Sequence, residues 1–253
     1  MGERPIMILA AMKIEIEYLE SILEEKTIEE ENIYTFYKGK INSYPIVIVY
    51  TRVGLINISV SVSLAINKYN PICIISQGTA GSHTMDGHIG DIIIGTECIN
   101  ICSFRTKQKN IGEGSNPLEW EILNFIDNDT DRLIVYKSDE TLVKLTNEVK
   151  EKYTIEKILN GRLGSGDSWN IESDRILWFN KNYSTLCEDM ESVAAYIIGE
   201  NYSIPVIGIR ILSDNEILKE EYDRNTGVEC QKFVYEVVLN IIQNIDKLEL
   251  KGR

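Results

Sequence analysis

Val206-Ile207-Gly208-Ile209-Arg210-Ile211-Leu212-Ser213-Asp214 decides the fold. Up to Leu212 it is apolar except for Gly208 and Arg210, without the polar alternation of a half-exposed strand. Such a run belongs to a strand covered on both faces, as in a parallel sheet with helices on either side. Arg210 inside it needs an acidic partner, because an unpaired buried charge is costly, and a structural salt bridge is the expectation.

Working outward, residues 6–10 and 72–76 are further apolar strands, with more strand material at 91–95 and 97–102. Residues 34–38 and 46–50 read as a strand pair across the turn Asn42-Ser43. Helical patterns run over residues 12–25, over 56–66 up to Asn70-Pro71, over 140–151, 175–181 and 190–200, and over about 228–245. Residues 155–163 and 185–187 are strand-like, 103–116 a polar loop, and Thr130-Asp131 a break after a possible helix. Gly78-Thr79-Ala80-Gly81 and Gly164-Ser165-Gly166-Asp167 read as tight turns. Alternating apolar strands and helices predict a layered α/β fold. No repeat or linker interrupts the chain, so one domain over residues 1–253 is expected.

The net charge of −13 argues against nucleic acid and anionic membrane surfaces as partners. No apolar run approaches the ~18–20 residues of a membrane span, and Met1-Gly2-Glu3-Arg4-Pro5 lacks a signal-peptide layout. Five cysteines without a Cys-x-x-Cys pair read as reduced thiols and a cytoplasmic setting. Neither a metal nor a cofactor is expected. His83 and His88, the two histidines, are expected at the surface.

Three acids then stand out. In Leu186-Cys187-Glu188-Asp189-Met190-Glu191-Ser192-Val193-Ala194-Ala195, acids crowd around Met190 at the start of an Ala-rich helix. Glu191 falls beside Ala195 and Ile198 at i+4 and i+7, near the apolar face. Glu15 lies between Leu19 and Ile22 on the burial side of its helix and directly follows a strand, where ligands of open α/β sheets collect. Asp214 closes the 206–212 strand at its carboxyl end. A carboxylate pressed toward a core has either partners or a chemical task. The 78–81 glycines allow close backbone approach to a ligand, and the Thr79 hydroxyl can donate. Trp169 beside the second glycine turn serves either core packing or stacking on a flat heterocycle.

In chain order these pieces resemble the 5′-methylthioadenosine/S-adenosylhomocysteine nucleosidases, within the purine nucleoside phosphorylase and uridine phosphorylase superfamily. The resemblance rests on Ala10-Ala11-Met12-Lys13-Ile14-Glu15, Gly54-Leu55-Ile56-Asn57, Gly78-Thr79-Ala80-Gly81 and Gly90-Asp91-Ile92. It continues through Ser165-Gly166-Asp167-Ser168-Trp169, Asp189-Met190-Glu191 and Arg210-Ile211-Leu212-Ser213-Asp214. It implies a three-layer α/β/α fold around a twisted mixed sheet, a homodimer, and hydrolysis of an adenine nucleoside. Carried over, Glu15 would engage the attacking water as base, and Met190 and Glu191 would hold the ribose. Asp214 would protonate the purine at N7 while Ser213 helps orient it. Thr79, Ala80 and Gly81 would line the substrate site, Trp169 would stack on the base, and the Asn170 backbone would contact the base edge. The chain departs from the family at Asn215-Glu216, where a small residue and then Ala are usual. It also lacks the His/Asp-rich segment that the family carries in the region 99–117.

Two other readings stay open. A phosphorylase would use phosphate in place of water and need cationic groups for the dianion. Ile74-Ile75-Ser76-Gln77, just before Gly78, supplies no Arg, but Arg52, ahead of Gly54, is a candidate phosphate contact. A non-catalytic nucleoside-binding or storage protein is the second, and the three acids argue against it.

Overall fold

The structure, a computed structural model, describes residues 3–123 and 133–249. The expected break at Thr130-Asp131 lies outside them. Strand β1 (Ile6–Ala10) leads through a 3-10 turn, Lys13–Glu15, into the short helix α1 (Glu17–Ser21). Strands β2 (Glu24–Glu31), β3 (Tyr34–Ile41) and β4 (Tyr44–Tyr50) follow, then α2 (Leu55–Tyr69) and β5 (Cys73–Ser82). Next come β6 (Ile92–Asn100) and the two-residue strands β7 (Phe104–Arg105), β8 (Glu121–Ile122) and β9 (Tyr136–Lys137). After α3 (Glu140–Asn147), strands and helices alternate: β10 (Ile158–Ser165), α4 (Ser173–Tyr183), β11 (Thr185–Asp189), α5 (Ser192–Tyr202) and β12 (Val206–Asp214). Helices α6 (Thr226–Gln243) and α7 (Asp246–Glu249) complete the fold.

The main sheet runs β11-β10-β6-β12-β5-β1-β4-β3-β2, with β9 on β6. It is mixed: β12 is parallel to β5 and antiparallel to β6. The sheet also curls back on itself, because β11 pairs antiparallel with the end of β5 through Cys187↔Ser82 and Glu188↔Gly81. That closure gathers the ends of β5, β11 and β12 around Gly81.

Side-chain alternation sorts the core into two layers. Ile6, Ile8, Ile46, Ile48, Ile207, Ile209 and Ile211 pack with Phe233, Val234 and Val237 of α6 and Leu142 of α3. Met7, Leu9, Val47, Val49, Val206 and Leu212 pack on the other face with Ile58 and Val62 of α2 and Val193 and Ala195 of α5. Helices therefore cover both faces, which gives the expected three-layer α/β/α arrangement and accounts for the unbroken apolarity of β12.

Several expectations are corrected. The helix expected over 12–25 gives way to the 3-10 turn, α1 and then strand β2. β2 is a charged edge strand, mostly exposed, tied to β3 by Lys40–Glu25 and Lys38–Glu29 ion pairs. Such a strand has no apolar alternation to read, and its charges discourage edge pairing with other chains. Gly78–Gly81 is no turn: β5 runs straight through it to Ser82. Likewise β10 carries Gly164 and Ser165. Most of the 91–102 region forms one strand, β6, over Ile92–Asn100. His83 is fully buried rather than at the surface, while His88 is exposed and pairs with Glu220. The Asn42-Ser43 turn holds as expected, both residues having positive φ. So does the stop at Asn70, which takes a left-handed conformation and donates its N–H to Ile66 O.

Candidate active site

β1, β5, β11 and β12 deliver their carboxyl ends to an open cleft of about 190 Å³. Glu15, Thr79, Ala80, Gly81, Trp169, Met190, Glu191, Ser213 and Asp214 all line it. Two expected contacts stand apart. Asn170 does not line the cleft; its backbone N–H donates to Glu188 Oε1 at 2.8 Å. Arg52 is exposed outside the cleft, with its Nε donating to Ile33 O at 3.2 Å and its guanidinium over the Tyr50 ring.

Glu15 ends the 3-10 turn after β1 and is buried. Its Oε2 accepts from the amides of Ala11 and Met12 (3.2 and 2.9 Å), and its Oε1 from the amide and hydroxyl of Thr79 (2.8 and 3.0 Å). Burial nonetheless outweighs these donors and the nearby Arg210, leaving its pKa above the ordinary carboxylate value. The close approach explains Gly78: a Cβ there would sit 2.7 Å from Glu15 Oε1.

Glu191 sits at the N-cap of α5, not inside the helix as expected. Its Oε1 accepts from Gly54 N at 3.0 Å, while Asp167 Oδ1 accepts from Leu55 N at 2.8 Å. Helix α2 starts at Leu55 with no capping side chain of its own, so these remote acids satisfy its first free amides. Burial and the adjacent Asp189 carboxylate push the Glu191 pKa up to about 8. Asp189 shifts the opposite way. Although buried, it accepts from Arg210 Nε at 2.8 Å, and from Ser165 Oγ and the amides of Glu191 and Ser192 on its other oxygen. This is the salt bridge anticipated for Arg210.

Asp214 ends β12. Burial raises its pKa, and the Glu216 and Glu188 carboxylates add to that push against a hydrogen bond from Ser213 Oγ at 2.9 Å. A Cβ at Gly81 would meet its Oδ2 at 3.0 Å. Trp169 is 61% exposed and stands edge-on to Tyr222, so it is a cleft wall rather than core.

The sequence reading missed Met12, Val53, Ser168, Glu188 and Tyr222 on the cleft wall. Glu188 carried a signal, since it belongs to the acid cluster around Met190; Tyr222 lies in a stretch with none. Among the described residues, no cluster of three or more His, Cys, Asp or Glu side chains is arranged to hold a metal, and no helix is long and apolar enough to cross a membrane.

The chain is similar to known proteins over most of its length. A 5′-methylthioadenosine/S-adenosylhomocysteine nucleosidase of Bacillus thuringiensis subsp. konkukian is 24% identical over 214 residues, covering 83% of this chain and 85% of the relative. The nucleosidase of Neisseria meningitidis, solved with methylthio-immucillin-A, superposes with a TM-score of 0.77 at 21% identity, over 93% of this chain and 99% of the other. That of Colwellia psychrerythraea, solved with adenine, gives 0.78 at 19% identity, over 94% and 96%. The family model described as the phosphorylase superfamily matches residues 5–243. With that match spanning nearly its whole length, the chain belongs to the phosphorylase superfamily.

Proposed function

We propose that this cleft hydrolyses the N-glycosidic bond of an adenine nucleoside of the 5′-methylthioadenosine or S-adenosylhomocysteine type. The observation that carries the reading is the meeting of Glu15, Glu191 and Asp214, far apart in sequence, around one cleft. Such a bond resists water because adenine leaves poorly as an anion and the sugar must become cationic. Asp214, its pKa raised by burial, gives its proton to N7 as the C1′–N9 bond breaks and the electron pair leaves with the base. Water then forms the new bond to C1′, and Glu15, whose pKa is also raised, takes its proton. Glu191 holds the ribose hydroxyls next to Met190, and a nearby carboxylate eases the developing cation, as in glycoside hydrolysis. Trp169 stacks on the base, and Ser213 orients Asp214 through its hydrogen bond.

Water is favoured over phosphate because, among the described residues, no Lys, Arg or His lines the cleft. A dianion would find five acidic side chains, Glu15, Glu188, Asp189, Glu191 and Asp214, and no cation. The test is free-base release from methylthioadenosine, adenosylhomocysteine, adenosine and inosine, with and without phosphate. Strict phosphate dependence would make the protein a phosphorylase. Equal release by wild type and Glu15→Gln would favour a binding protein.

The reading includes one domain acting as a homodimer in a reducing cytoplasm. Exposed Val53, Ile56 and Val60, around the start of α2 beside the cleft, support the dimer, and five free cysteines support the compartment. Light scattering checks the first.

A further inference from the structure

Glu188 takes no part in the bond-breaking steps above, yet it contributes to the cleft wall while only 6% exposed. Its place is set by two strand registers. Glu188 pairs with Gly81 from β11, and Asp214 pairs with the same glycine from β12. Two acids therefore flank Gly81, one on each side, and Asp214 senses the charge of Glu188.

The Glu188 carboxylate is held from behind. Its Oε1 accepts from Asn170 N at 2.8 Å and its Oε2 from Asn170 Nδ2 at 2.6 Å. His83 Nε2 lies 3.0 Å from Oε2, and His83 Nδ1 lies 2.7 Å from Thr185 Oγ1. The imidazole stacks on Phe179 with its ring 7° from parallel. A carboxylate offers about four lone-pair sites, so three donors leave about one open. The same contacts tie up the Asn170 amide, which therefore has no N–H to give a base.

In a purine, N7 and the substituent on C6 share one edge. Adenine presents an acceptor at N7 and an amino donor beside it, whereas a 6-oxopurine presents two acceptors. With Asp214 at N7, the neighbouring acid across Gly81 faces the C6 substituent. An amino group there gives Glu188 a hydrogen bond; an oxo group turns lone pairs toward a carboxylate. We propose that Glu188, fixed by Asn170 and His83, selects 6-aminopurine over 6-oxopurine nucleosides. This inference rests on the nucleosidase reading above.

The experiment compares 5′-methylthioadenosine with 5′-methylthioinosine, which differ only at C6, on wild type and Glu188→Gln. Wild type favours the amino substrate in kcat/KM. In Glu188→Gln that ratio narrows by about 10- to 100-fold, the range of a hydrogen bond to a charged group, because the amide also has an N–H to offer an oxo group. Calorimetry of adenine and hypoxanthine binding to wild type, which needs no variant, shows the tighter affinity for adenine. An unchanged ratio in Glu188→Gln, an equal loss on both substrates, or equal affinity for the two bases overturns the proposal. If wild type cleaves neither nucleoside, the nucleosidase reading fails, and the base affinities still decide the role of Glu188.

Discussion

Arg210 Nε donates to Asp189 Oδ2 at 2.8 Å, and both side chains are about 1% exposed. The pair joins β12 to β11 across the floor of the cleft. Arg210 also donates to Ser76 O and Ser76 Oγ, so one guanidinium ties three strands together. Removing it leaves Asp189 as an uncompensated buried charge. Arg210→Met is therefore expected to lower unfolding free energy by about 3–5 kcal/mol, the usual cost of breaking a buried pair from one side. Urea denaturation measures this, and a loss within ordinary surface-substitution range would show that the pair does not hold the strands.

Asp214→Asn keeps the size of the side chain and its place at the end of β12 but removes the transferable proton. The expected result is a fall in kcat of ~10²–10⁴-fold, the worth of one general acid, with an unaltered circular dichroism spectrum. Wild-type turnover in this variant would remove Asp214 from the acid role.

The buried acids set a pH dependence of stability. Glu191 has an ordinary value of 4.5 and is pushed up to about 8 in the fold. Between those values the folded chain holds a proton that the unfolded chain has released. Stability from this group is thus full below about 4.5 and is lost as pH rises through about 8. Glu15 and Asp214 are also raised and act in the same sense. Asp189 is lowered, so its contribution is present above its ordinary value and lost as pH falls through its folded value. Melting temperature should therefore decline across that window, and Glu191→Gln should flatten the decline. An identical slope in the variant would contradict the assignment.

Arg52 tests the choice between water and phosphate. Its guanidinium is engaged with Ile33 O and the Tyr50 ring, outside the cleft. Arg52→Ala should leave base release unchanged at every phosphate concentration. A rate that depends on phosphate in wild type and loses that dependence in the variant would restore the phosphorylase reading.

The legibility of the chain follows from where its signals lie. β12 was readable because burial on both faces leaves only apolar residues, and the one charge within it announced its partner. Glu15, Glu191 and Asp214 were readable because each interrupts an apolar pattern. β2 was not, since an exposed edge strand of glutamates has no buried face to pattern it. Gly78–Gly81 looked like a turn because close approach of Glu15 and Asp214, not chain reversal, demands those glycines. His83 was misplaced because its burial depends on Thr185 and Glu188, about a hundred residues away. Tyr222 reaches the cleft from an irregular segment that carries no periodicity at all.

The Gly78–Glu15 contact offers a test that substitutes none of the acids. A methyl at position 78 would lie 2.7 Å from Glu15 Oε1 and 3.1 Å from its carboxyl carbon, closer than atoms tolerate. The carboxylate must shift, and the Thr79 amide and hydroxyl bonds that orient it must stretch. A displacement of about 1 Å at a reacting group costs roughly 10²-fold in rate, so Gly78→Ala should lower kcat by that order. Gly227→Ala is the control, because its methyl would meet Glu15 Cγ at 3.4 Å, an ordinary contact, from within α6. Steady-state kinetics on both variants, with melting temperatures to confirm folding, compares a displaced base with an undisturbed one. Full activity in Gly78→Ala would mean that the position of Glu15 does not govern the chemistry.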